Sequence, residues 1–162
     1  MENSFSKDFI FISITLLIAM MLTILPLPAW AVWLRPAWVF MVLLFWMMTM
    51  PHRVNIGTAF ISGLLLDLLT GTMVGQHALL FTIISYFFIR FQAIIHSLPS
   101  WQQTILVSIS VVVYLAIQYW IMVMANVSPI TAKYWLPILS TMLLWPWVRF
   151  LLRNYHHRFR LD

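Results

Sequence analysis

Apolar residues run along this chain in long blocks that charged residues interrupt one at a time. The charge-free runs are 9–34, 36–52, 54–66, 68–89, 91–132 and 134–148. A helix that crosses the hydrocarbon core needs about 20 mostly apolar residues, with a range of roughly 17–25. Proline and glycine divide the runs into six predicted helices, over about 9–25, 34–50, 54–70, 76–95, 101–125 and 135–152. Pro26 and Pro28 stop the first, and Pro36 is tolerated in the first turn of the second, which Pro51 closes. Thr70-Gly71 closes the third and Asn126-Val-Ser-Pro129 the fifth. The second and third are short for a full crossing, so five spans with one re-entrant pair stand as the alternative to six.

Composition agrees with the blocks. The 162 residues are 63% hydrophobic and 8% charged, whereas a soluble domain is roughly 45–50% apolar and about 25% charged. Lipid is therefore the expected solvent for one all-α polytopic membrane domain over residues 1–162. There are no cysteines, which excludes disulfides, thiolate metal sites and thiol nucleophiles. The formal charge of +5 is spread singly between apolar runs and over a basic tail at 153–162, so it reads as a topology signal and not as a nucleic-acid groove.

Nine Lys and Arg residues set the orientation. With the N-terminus inside, Lys7, Arg53, Arg90, Arg149, Arg153, Arg158 and Arg160 lie inside, and only Arg35 and Lys133 outside. The excess of inside cations predicts N-in and C-in. Trp30, Trp33, Trp101, Trp135, Trp145 and Trp147 fall at predicted span ends, where an interfacial aromatic belt is expected. Ala29-Trp30-Ala31 resembles a signal-peptidase site, but Glu2 and Asp8 dilute the positive n-region and the apolar run is long, so the segment is expected to be retained.

One carboxylate stands out. Asp67 is the only acid between Asp8 and Asp162, in Gly63-Leu-Leu-Leu-Asp67-Leu-Leu-Thr-Gly71. Placing it in lipid costs on the order of 2.5–3.5 kcal/mol. Ala59, Gly63, Asp67 and Gly71 recur every fourth residue and share a helical face, where small side chains let another helix approach. A packing or partner-docking role follows for Gly63, Asp67 and Gly71. Asp67 and Arg35 fall toward the same outer end, so their pairing is one expectation. Capping of the loop at 70–75 is the other, and His77 is within reach across that short turn.

Other chemistry is sparse. Pro51-His52-Arg53-Val54-Asn55 reads as a cytoplasmic turn, with His52 and Arg53 as an anchor or docking point. Arg149 and Arg153 share a helical face, and each basic group near an anionic leaflet adds about 1 kcal/mol of attraction, so anionic phospholipid is an expected partner. No His pair has zinc-hydrolase spacing, Gly-x-Ser-x-Gly is absent, and no second acid accompanies Asp67. No enzyme, cofactor or metal is expected. Asn55, Gln76, Gln92 and Gln118 are among the few polar residues within spans; a solute pathway would need such groups to converge.

The runs Leu34-Arg35-Pro36-Ala37-Trp38, Pro51-His52-Arg53-Val54-Asn55-Ile56-Gly57, Gly63 to Gly71 followed by Gly75, and Leu144-Trp145-Pro146-Trp147 resemble the rod shape-determining protein MreD family of Gram-negative bacteria, along the whole chain. The resemblance implies a non-catalytic inner-membrane scaffold of the cell-elongation complex that builds sidewall peptidoglycan, required for rod cell shape. It implies MreC, MreB, and RodA with its penicillin-binding partner as associates. It also implies a fold similar to the substrate-binding subunits of energy-coupling-factor transporters, which does not carry function over. The rival reading is a vitamin-like solute-binding transporter subunit, with Asp67, Gln76 and His77 around a closed polar cavity.

Overall fold

The computed structural model describes residues 2–126 and 132–161. Every regular element among them is helical: α1 (Glu2–Ile24), α2 (Trp38–Thr49), α3 (Ile56–Thr70), α4 (Gln76–Arg90), α5 (Gln92–Ser97), α6 (Ser100–Met124) and α7 (Leu136–Leu161), with 3-10 turns at Val32–Leu34 and Ala132–Trp135.

Helix α2 is the axis of the bundle. All nine residues from Val39 to Met47 are buried, as expected of a helix that is apolar all round. Helices α1, α4, α5 and α7 pack on it. Trp46 donates its indole N–H to Thr15 Oγ1 of α1 at 2.9 Å and meets Phe11 edge to face at 5.5 Å. The Ala37 N–H points to Thr141 Oγ1 of α7 at 3.4 Å. Phe40 stacks on Tyr114 of α6 with centroids 5.1 Å apart and touches Phe81 of α4 at 5.5 Å.

Among the described residues, four segments are long and apolar enough to cross a membrane: Lys7–Ile24, Val32–Thr49, Ser100–Met124 and Lys133–Tyr155. Helices α3 and α4 have 15 residues each, about 22 Å at 1.5 Å per residue, against a hydrocarbon thickness of about 30 Å. They form a close antiparallel hairpin with the most extensive helix–helix contact in the chain.

Several boundaries differ from the sequence pattern. The fourth helix, expected to run to 95, stops at Arg90 and resumes as α5 after Phe91. Leu98 is extended ahead of Pro99, as the residue before proline must be. Gln103 then donates to the carbonyls of Ile95 and Leu98 at 3.1 Å each, closing the end of α5. Asn55 lies outside the third helix and caps it, its Oδ1 accepting from the N–H groups of Gly57 and Thr58 at 2.9 and 3.2 Å. The basic tail is no separate segment, because α7 continues through it to Leu161. Trp145 is not part of an interfacial belt; it is 1% exposed, whereas Trp30, Trp101 and Trp147 are exposed. Asn126 adopts a left-handed φ of 54° just after α6, and the rest of the expected stop, 127–129, lies outside the described residues.

Candidate functional site

Helix α3 ends where the chain needs a left-handed turn. Gly71 supplies it at φ 67°, and Gly75, at φ 99°, turns the chain into α4. Gly75 has no side chain to cap α4, so the first amides of that helix need an acceptor from elsewhere. Asp67 provides it from the last turns of α3. Its Oδ2 accepts from the Gly75 N–H at 2.9 Å and faces the Ala78 N–H at 3.4 Å. Its Oδ1 accepts from the His77 N–H at 3.0 Å and the Thr72 hydroxyl at 2.9 Å. A carboxylate against a helix N-terminus is favoured both by these donors and by the helix dipole. This disposes of the lipid problem, since Asp67 is 0% exposed.

The fifth donor is the imidazole of His77, whose Nδ1 lies 2.7 Å from Asp67 Oδ1. Its Nε2 meets the side-chain nitrogen of Gln118, on α6, at 3.1 Å. An amide NH2 is donor only, so the Gln118 contact assigns the Nε2 lone pair as acceptor and the proton to Nδ1. The ring also lies 5.9 Å from Tyr114 and 6.1 Å from Phe81. Asp67, His77 and Gln118 thus tie α3, α4 and α6 together through a buried polar chain. Its far end is the Gln118 amide, and the Thr72 hydroxyl, 3.3 Å from His77 Nδ1, gives its proton to Asp67. Among the described residues no group of three or more His, Cys, Asp or Glu could hold a metal ion.

Close approach makes this geometry possible. A Cβ built on Gly63 would stand 2.4 Å from Ala78 Cα and 2.7 Å from the His77 carbonyl carbon. Ala59, one turn earlier, is 0% exposed. Gly63 therefore lies against the backbone of α4 in the same chain. Gly71 differs: a Cβ there would meet nothing within 4 Å, and its part is the turn. The shared spacing of four does not give these glycines one role, because the helix ends before Gly71.

The expected pair of Asp67 with Arg35 is not formed. The Arg35 guanidinium donates to the carbonyls of Thr23 and Leu25, the latter at 2.6 Å. Pro26 and Pro28 end α1 and leave its last carbonyls without helical donors, and a cation at a helix C-terminus satisfies both hydrogen bonding and dipole. Arg35 thus fastens the entry of α2 to the end of α1. At the opposite end Arg53 lies 3.7 Å from Asp8, which is 8% exposed, while His52 is exposed. Arg149 and Arg153 line a cleft between α6 and α7. The side chains of His156, His157, Arg158 and Arg160 lie outside the described residues.

A cavity of about 160 Å3 lies beside the polar chain, lined by Arg35, His77, Tyr114 and Gln118 among others. Asp67 and Gln76 do not line it, so the set required for a solute site is not assembled there. Its volume is below the roughly 300–1,000 Å3 usual for small-molecule pockets. Sequence reasoning found Asp67 and His77 but assigned Gln118 no partner; the contact spans 41 residues, and no local pattern carries it.

Known proteins place the whole chain. The family described as rod shape-determining protein MreD matches residues 4–155. The rod shape-determining protein MreD of Haemophilus influenzae is 33% identical over 165 residues, covering 99% of each chain. No solved structure matches. With the match spanning every helix of the bundle, including the hairpin that Asp67 locks, the chain belongs to the MreD family of rod shape-determining proteins.

Proposed function

We propose that this protein is a non-catalytic inner-membrane scaffold of the cell-elongation machinery, required for rod shape. The observation that carries the reading is the family match from residue 4 to 155. The geometry is consistent with it: the buried Asp67, His77 and Gln118 bond one another, and the outward faces are apolar. Phe9, Leu17 and Met21 on α1, Phe60 and Leu68 on α3, and Leu139 and Leu143 on α7 are all exposed. Such faces suit lipid and the transmembrane helices of partner proteins.

In this reading α1, α2, α3, α4, α6 and α7 all cross the membrane, with both termini inside, and α3 and α4 span as a short, locked pair. The partners are MreC, MreB, and RodA with its penicillin-binding associate. They meet lateral helix faces within the bilayer, while the basic inner end meets anionic lipid and cytoplasmic components. Because Gly63 and Asp67 are occupied within the hairpin, partner contact is assigned to the opposite, exposed side of α3 and to α1 and α7.

Depletion tests the function. Cells that round up while needing no added nutrient fit the scaffold. A growth defect cured by one vitamin would instead establish the transporter reading. The cysteine-free background tests the topology: His52→Cys is expected to label only from the cytoplasmic side, and Val74→Cys only from the outer side.

A further inference from the structure

The inner half of α7 and the start of α6 form a cleft that the scaffold reading leaves without a specific ligand. Its volume is about 200 Å3, and Ser100, Thr104, Pro146, Arg149, Phe150 and Arg153 line it. Arg149 and Arg153 stand one turn apart on α7 and repel each other. Among the described residues neither has an ion-pair partner, and Arg149 Nη1 is buried with no hydrogen-bond acceptor. Two cations held together without an acid, one with an enclosed and unused donor, are unfavourable unless an anion joins them.

The neighbouring groups add to the same sign. Helix α6 starts at Ser100 after Pro99, with no side-chain cap. Its positive end therefore faces the same region as the two guanidiniums. The remaining wall is apolar: Phe150 is 63% exposed, and Pro146 lies beside it in the lining. Trp101 and Trp147, both exposed, follow the lining residues Ser100 and Pro146 in sequence, and Trp is enriched at the headgroup level of membranes.

We propose that this cleft is a binding site for the phosphate of an anionic phospholipid, with Arg149 and Arg153 on the phosphate oxygens and the acyl chain along Pro146 and Phe150. A phosphodiester matches two planar guanidiniums. The apolar floor beside the charges selects a lipid over a soluble phosphate. The inference rests on the membrane embedding proposed above, and its test uses purified protein, so it stands or falls apart from any effect on cell shape.

The experiment is a binding titration by thermal shift and native mass spectrometry, on the full chain in a neutral detergent. The probes are phosphatidylglycerol, phosphatidylcholine and inorganic phosphate. Phosphatidylglycerol is expected to bind on the order of 30-fold more tightly than phosphatidylcholine, the scale of two surface cations. The variant Arg149→Gln/Arg153→Gln should lose that preference, and Arg90→Gln should keep it. Should the double variant fail to fold, Arg153→Gln alone decides, because that residue is exposed. Equal binding of the two lipids, an unchanged preference in the Arg153 variant, or an equal loss in Arg90→Gln would overturn the site. Inorganic phosphate binding as tightly as phosphatidylglycerol would overturn the lipid assignment.

Discussion

Gly63 of α3 lies so close beneath Ala78 of α4 that a single methyl group added to it would overlap the Ala78 backbone, at 2.4 Å from Cα. The obstacle is main chain, so no rotamer change relieves it. That contact sets the spacing at which the Asp67 carboxylate reaches the first amides of α4.

Gly63→Ala is therefore expected to force the hairpin apart and to destabilise the protein by about 1–3 kcal/mol, the range for overpacking. Thermal denaturation in detergent measures it, together with the level of protein in membranes. A variant with wild-type stability would mean that α3 and α4 are not this close.

Asp67→Asn turns one of two acceptor oxygens into a donor facing N–H groups that need an acceptor. The cost expected for an unsatisfied buried group is about 1–3 kcal/mol, seen as lowered stability and lowered protein level. Wild-type level with loss of rod shape would move Asp67 from the fold to a partner interface.

Gln118→Leu removes the side chain that meets His77 Nε2 at 3.1 Å. Measured interhelical hydrogen bonds in membranes average about 0.6 kcal/mol and reach about 1.7, so the loss should fall in that range. A double-mutant cycle of Gln118→Leu with His77→Phe should show coupling of similar size. Full additivity would count against a direct contact.

Asn55→Ala should weaken the start of α3 by roughly 0.5–2 kcal/mol, and Asn55→Asp should retain most of the cap. Equal losses in both variants would point to a role of the amide beyond accepting from Gly57 and Thr58.

At the inner end, Asp8→Ala and Arg53→Ala should each reduce stability, because Asp8 is buried beside the guanidinium at 3.7 Å. Losses measured in the single and double variants should be less than additive if the two act on one another.

The legible part of this molecule was its gross plan. Blocks of apolar residues and proline stops place the helices in order, four segments among the described residues being long and apolar enough to cross a membrane, and an acid amid leucines announces a site. What the pattern left open was where each polar group goes. Arg35 and Asp67 fall at the same end, but proximity along the membrane normal says nothing of azimuth around the bundle. The decisive fact for Arg35 was the set of carbonyls left free by Pro26 and Pro28, which is visible only once α1 and α2 are docked. Gln118 lies in an apolar helix with no companion in its own sequence neighbourhood. Trp145, near a span end by count, faces inward because the end of a helix in sequence is not its level in the bundle.

One consequence of the buried α2 concerns the order of synthesis. The helix is made early but is enclosed partly by α4 and α7, the latter made last. Until α7 leaves the ribosome, the face that receives Thr141 has only lipid or a chaperone to cover it. Completion of the bundle thus waits for α7, and chains cut short before it are expected to be recognised and degraded before they reach any partner.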